Sequence, residues 1–173
     1  MKKIISLTLV VLGLMLLVSP SAQPQFSCVF PEEPNNIVRS GGGSITLVAL
    51  NWEGDSQPVE EAIKEVIPLL EESPFLSWPP ARGSGTVPVY PATEELIWCW
   101  NRNHKLQWGE FRSRTGPTGP GIYLLPNLDP LALRVTIAHE TVHAFWTGDD
   151  LIPRLVSVPI IVNYTMARTK GSP

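Results

Sequence analysis

The segment from Asp129 to Asp150 constrains the fold more than any other stretch of the sequence. Asp129 is a candidate N-cap, Pro130 suits the first helical turn, and Gly148 follows the last apolar position as a stop signal. Between these residues, five apolar positions recur at the 3.6-residue period and predict a buried stripe: Leu131, Val135, Ala138, Val142 and Phe145. We therefore expect a capped helix that packs on a core and turns its less apolar side toward a cleft.

Two histidines, His139 and His143, lie on the less apolar side of this predicted helix. Side chains four residues apart stand one above the other on a helix, so the two imidazoles are close enough to bind one metal ion. Glu140 is rotated by about 100° from His139 around the helix axis, which keeps it near the metal without making it a ligand. This is the position expected of a carboxylate that acts as a general base. A solvated or structural histidine pair is the alternative interpretation.

The N-terminal sequence indicates export from the cell. Lys2 and Lys3 precede an apolar run over residues 4–18, and small residues follow it. This order predicts a secretory signal peptide over residues 1–22, with an uncleaved N-terminal anchor as the alternative. Residues 23–43 are polar and predict an N-terminal arm, so residues 44–173 remain as one domain, and no stable membrane association is expected after cleavage. The net charge of -3 gives no basic footprint, which argues against nucleic acid as a partner.

The chain contains two cysteines, Cys28 and Cys99. In an oxidising compartment an even number of cysteines favours disulfide formation, so one Cys28–Cys99 disulfide is predicted. Two independent buried thiols are the alternative.

The remainder of the domain predicts one sheet and one further helix. The predicted strands cover four segments: 44–51, 95–100, 105–111 and 121–125. The first segment is almost continuously apolar, which is typical of a central strand, and the second and third are typical of a hairpin. Residues 57–72 show helical spacing, whereas the Pro- and Gly-rich residues 73–92 are interpreted as an irregular connection. The predicted fold is therefore α+β, an α/β sandwich in which a mixed sheet of about four strands carries a backing helix and an active-site helix.

The pattern His139-Glu140-x-x-His143, on a helix that follows a mixed sheet, resembles the zincin metallopeptidases. The resemblance implies one Zn²⁺ per chain, held by both histidines and a third protein ligand. Metzincin-like families place that ligand six residues beyond the second histidine, which is Asp149 in this chain, and snapalysin-like enzymes use an aspartate there. Asp150 and His104 are the alternative third ligands.

The same resemblance implies a Met-containing turn below the metal, for which Tyr164-Thr165-Met166 is the candidate. It also gives Tyr164 a role in binding the developing oxyanion. The implied function is a secreted zinc-dependent metallopeptidase that hydrolyses peptide or protein substrates, with Glu140 as the general base. A secreted, non-catalytic domain with a structural metal or a protein-binding role is the alternative, and Trp146 favours it because these families have a glycine at that position.

Overall fold

The computed structural model describes residues 39–40, 44–100, 107–113 and 120–170. Within these ranges it contains five strands and four helices. The strands are β1 (Arg39–Ser40), β2 (Ile45–Ala49), β3 (Ser84–Pro91), β4 (Gly109–Arg112) and β5 (Gly121–Leu124). The helices are α1 (Gln57–Glu71), α2 (Glu94–Trp100), α3 (Pro130–Phe145) and α4 (Leu151–Lys170). The predicted α+β fold with a mixed sheet is confirmed.

The strands form one mixed sheet. β3 pairs in parallel with β2 and with β5, β5 pairs antiparallel with β4, and the short β1 pairs antiparallel with the start of β3. In the described part of the chain, β4 therefore lies at one edge and β2 at the other. The prediction that the first strand is central is wrong, and its Thr46 and Val48 side chains are exposed on one face of the sheet.

The inner strand β3 lies in the stretch that was predicted to be irregular, so that prediction is wrong for Ser84–Pro91. A proline argues against a strand in a sequence, because it has no N–H to donate to a neighbouring strand, but Pro88 is compatible with β3. The carbonyl of Val89 accepts a hydrogen bond from Leu50 on the β2 side. Because successive residues of a strand direct their backbone groups to alternate edges, Pro88 faces the other edge, where pairing with β5 begins only at Val89. The missing N–H of proline thus breaks no bond between paired residues.

The predicted hairpin is wrong in its first half, because Glu94–Trp100 is the helix α2. The Oγ1 atom of Thr93 accepts a hydrogen bond from the backbone N–H of Leu96 at 3.2 Å, and two glutamates occupy the first turn. A capping threonine and acidic residues at a helix N-terminus both favour a helix. The second half of the predicted hairpin corresponds to β4, while His104 lies outside the described residues. Cys28 also lies outside them, so the disulfide with Cys99 stays a prediction.

Helices cover both faces of the sheet. Along β5, Ile122 and Leu124 belong to the main core, which they share with α1, α3 and α4. Tyr123, which alternates with them, belongs to a second apolar cluster with Leu96 and Ile97 of α2. The site described below lies beside the main core, where α3 meets the edge strand β4.

The start of α3 is as predicted. Asp129 caps it, because its Oδ1 atom accepts hydrogen bonds from Leu131 N at 3.0 Å and Ala132 N at 3.1 Å. The predicted buried stripe is only partly correct: Ala138, Val142 and Phe145 are buried, whereas Leu131 and Val135 are half-buried and Val135 lines the cavity described below. Ten of the sixteen residues of α3 are buried, since the helix packs against α1 and α4 as well as β4 and β5.

The C-terminal segment forms the single helix α4, so the predicted Met-containing turn at Tyr164-Thr165-Met166 is wrong. Thr165 Oγ1 donates to the Ile161 carbonyl at 2.8 Å, as expected one turn apart within a helix. Val156 and Ile160 are each only 2% exposed, and their packing on the core offsets the loss of about 3 kcal/mol expected for Pro159 inside a helix.

The predicted signal peptide over residues 1–22 lies outside the described residues. In the ranges given above, none of the helices combines the length and apolar character needed to span a membrane.

Candidate metal centre

Three donor atoms converge at the C-terminal end of α3. The Nε2 atoms of His139 and His143 are 3.1 Å apart. The Oδ1 atom of Asp150, the residue directly before α4, lies 3.2 Å from His143 Nε2 and 4.0 Å from His139 Nε2. All three potential ligand atoms lie within 4.8 Å of one another. The structure therefore brings together two imidazoles and one carboxylate that could hold a metal ion.

These distances fit a zinc ion. A point equidistant from the three atoms lies about 2.0 Å from each of them, by the geometry of a triangle with these sides, and Zn–N and Zn–O bonds measure about 2.0–2.2 Å. Imidazole nitrogen and carboxylate oxygen are also ligands that zinc accepts.

The protonation and orientation of the two rings also suit metal binding. His143 Nδ1 donates to the carbonyl of Thr147 at 3.0 Å, which leaves its Nε2 lone pair directed at the site. Burial, and then the neighbouring His143, lower the pKa of His139 to about 4. A neutral imidazole is the form that binds a metal, so His139 is in its ligand form near neutral pH.

Glu140 lies beside this group without joining it. The residue is 6% exposed, and its Oε2 atom accepts a hydrogen bond from the backbone N–H of Phe111 at 2.8 Å. Burial and the nearby Glu110 raise the pKa of Glu140 to about 8, although the bond from Phe111 opposes this shift. The carboxylate is thus fixed between α3 and the edge strand β4.

A close contact between these two elements produces that arrangement. A Cβ atom at Gly109 of β4 would lie 2.7 Å from Thr136 Cγ2 of α3, closer than carbon atoms approach without strain. Glycine therefore permits α3 to approach the edge strand, and Glu140, one helical turn beyond Thr136, comes within reach of the Phe111 amide. The predicted cleft is present as a cavity of about 650 Å³, bounded by β4, α3 and the start of α4.

The segment that carries Asp150 is held in place by the loop before β3. Trp146 follows the end of α3 and donates from Nε1 to the carbonyl of Ser77 at 2.7 Å. Arg82 donates from Nη1 to the His143 carbonyl at 2.8 Å, and its backbone N–H donates to Phe145. The two bonds from Arg82 satisfy carbonyls at the end of α3, where a cation is also favourable. They fix the direction in which the chain leaves α3.

The third candidate ligand, Asp150, differs from Asp149, which the zincin resemblance implied. The Oδ1 atom of Asp149 accepts a hydrogen bond from Leu151 N at 2.8 Å at the start of α4, and Asp149 does not belong to the group of converging donors. Asp150, one of the two alternatives, is the residue that approaches the histidines. The spacing from His143 is therefore seven residues instead of six.

Tyr164 is placed outside the cavity. Its ring lies 5.3 Å from the guanidinium carbon of Arg134, and it is not among the residues that line the cavity. The helical conformation of its segment explains this position, because α4 leads away from the site after Asp150. The structure therefore does not bring Tyr164 to the histidine pair.

Several residues that line the cavity were not among the predicted site residues, and Glu110 on β4 is one of them. Its pKa is raised by burial, an effect that Arg112 and His143 oppose, and Arg112 Nη1 lies 3.7 Å from its carboxylate. Nothing near Glu110 in the sequence signals this position, because only the packing of β4 on α3 brings it there.

No protein-family model, curated protein or solved structure matches the chain. The fold and the site alone define the class: an α+β domain with a candidate His139–His143–Asp150 metal centre and an adjacent buried glutamate.

Proposed function

We propose that the protein is a secreted zinc-dependent metallopeptidase. The observation that carries this proposal is the position of Glu140, a buried carboxylate next to His139, His143 and Asp150 in one cavity. Two imidazoles and a carboxylate form a ligand set suited to zinc, and a free carboxylate beside such a set is suited to proton transfer.

Zinc, when bound by the three ligands, supplies a Lewis acid that polarises a peptide carbonyl and acidifies water. The residues of the chain transfer the proton and orient the carboxylate that carries it. The charge of a bound cation would favour the ionised form of Glu140, whose pKa is otherwise raised, and the carboxylate would then accept the proton of the attacking water and deliver it to the leaving amine. The Phe111 amide holds the Glu140 carboxylate in a fixed rotamer, which reduces the reorganisation needed during the reaction.

The edge strand β4 offers a binding surface for an extended peptide. In the described part of the sheet β4 is paired on one side only, with β5, whereas β5 is paired on both sides and offers no open edge. In β4, Trp108 O accepts from Leu125 N, so the backbone groups of Gly109 and Phe111 point away from β5. The Phe111 N–H is already bonded to Glu140, so an added strand would pair with the Gly109 N–H and with the carbonyls of Gly109 and Phe111. An added strand would bind through main-chain bonds at this edge, next to the metal centre, whatever its side chains.

The experiment compares zinc-loaded wild type with Glu140→Gln on a broad set of fluorogenic peptides. We expect hydrolysis by the wild type that stops with a chelator and returns with zinc. Glu140→Gln should bind zinc as the wild type does and lose hydrolysis, whereas Glu71→Gln, an exposed matched control on α1, should retain both. Full activity in Glu140→Gln would refute its role as the base.

One observation favours a second candidate, a secreted non-catalytic domain with a structural metal. Glu140 is buried and already accepts a hydrogen bond from Phe111, as a structural carboxylate would. The same experiment separates the candidates, because this domain would bind zinc, lose stability on chelation and cleave none of the peptides.

A further inference from the structure

Arg154 lines the cavity one turn of α4 beyond Asp150. Its backbone N–H donates to the Asp150 carbonyl at 3.3 Å, so the two side chains project from the same side of the helix. The carboxylate of Asp150 is directed at His143 instead of Arg154. Among the described residues, none of the ion pairs includes Arg154, and its side chain is exposed. A cation thus faces the cavity beside the candidate metal centre.

A second cation, Arg82, lines the same part of the cavity. Its guanidinium is anchored to the His143 carbonyl, so its charge is fixed close to the donor atoms. On the β4 side, Glu110 has Arg112 at 3.7 Å as a charge partner. The cavity is therefore polarised, with two arginines near the start of α4 and a paired carboxylate on the edge strand.

From this arrangement we infer that the site binds a carboxylate of its peptide substrate at Arg154. The inference rests on the proposed function and deepens it by naming a substrate class. A guanidinium binds a carboxylate through two parallel hydrogen bonds, which gives direction as well as attraction. A lysine or arginine of the substrate at the same position would be repelled by Arg154 and Arg82. The carboxylate comes from an acidic side chain or from the free C-terminus of the peptide.

The test measures peptide binding to zinc-loaded Glu140→Gln protein by calorimetry, so that cleavage does not interfere. The four peptides share one sequence except at the residue beside the intended scissile bond and at the C-terminus. Three have an amidated C-terminus and carry glutamate, glutamine or lysine at that residue. The fourth carries glutamine there and has a free C-terminal carboxylate. An exposed charge pair with bidentate geometry should give roughly three- to tenfold tighter binding of one carboxylate peptide than of the neutral one. Which of the two binds more tightly identifies the source of the carboxylate.

Two variants in the same background assign the effect to Arg154. Arg154→Gln should remove the preference, and Arg154→Glu should reverse it in favour of the lysine peptide. Lys64→Gln, which removes an exposed positive charge on α1, should leave the preference unchanged.

Equal binding of all four peptides, no binding of any, or a preference that persists in Arg154→Gln would overturn the inference. The proposed function fails by a different result, the absence of cleavage of any peptide by zinc-loaded wild type. Cleavage without a carboxylate preference would leave the peptidase proposal intact and make Arg154 an ordinary solvated cation.

Discussion

Replacing Gly109 by alanine measures how closely the edge strand packs on the histidine-bearing helix. The added Cβ would lie 2.7 Å from Thr136 Cγ2, 2.8 Å from Leu124 Cδ2 and 2.9 Å from the carbonyl oxygen of Tyr123. Carbon atoms in unstrained contact are about 3.5–4.0 Å apart, so β4 must shift by about 1 Å or deform. One neighbour is backbone and cannot rotate away. We therefore expect a loss near the upper end of the roughly 1–3 kcal/mol that overpacking costs.

Urea unfolding measures this loss. For a slope of about 1–3 kcal/mol/M, a loss of about 3 kcal/mol should lower the midpoint by about 1–3 M while the slope stays unchanged. Adding Thr136→Ser removes the nearest methyl group and should restore part of the stability. Zinc content should be unaffected by Gly109→Ala, because the three ligands belong to α3 and the segment after it. An unchanged midpoint would refute the close packing of β4 on α3.

Three further predictions concern stability. Asp129→Ala removes the cap of α3 and should lower the free energy of unfolding by about 1 kcal/mol in thermal melts, and an unchanged melting temperature would contradict the capping role. Phe145→Ala empties a site that is 1% exposed and should cost about 3–5 kcal/mol in urea unfolding, with a loss below about 1 kcal/mol as the contrary result. Arg134 lowers the pKa of Glu65 below its ordinary 4.5 through a side-chain hydrogen bond, so this pair stabilises the fold above pH 4.5 and less as the pH falls through the lowered pKa. The stability difference between wild type and Glu65→Gln, about 1 kcal/mol or less for this exposed pair, should therefore shrink on acidification, whereas growth on acidification would exclude the assigned sign.

The helix α3 could be predicted because its signals are local. Asp129 and Pro130 act within the first turn, and the separation of His139 and His143 follows from the helical period alone. α1 is confirmed for the same reason, since its apolar residues recur at the period of the helix that they form. A helix whose hydrogen bonds and apolar periodicity lie within one segment can be predicted from the sequence of that segment.

The inner strand β3 and the third ligand depend on distant parts of the chain. Pro88 reads as a strand breaker, and only the offset between β2 and β5 makes its missing N–H harmless. The choice between Asp149 and Asp150 depends on the path of the chain after α3, which Arg82 fixes from a position 61 residues away. Sequence spacing alone does not encode either outcome.

The central claim is the metal centre, and the most direct test is the zinc content of purified, folded protein after dialysis. Wild type and Asp149→Asn should each hold about one zinc per chain, while Asp150→Asn and His143→Ala should lose zinc or bind it far more weakly. A folded wild type without zinc, or loss of zinc from Asp149→Asn with retention in Asp150→Asn, would contradict the site.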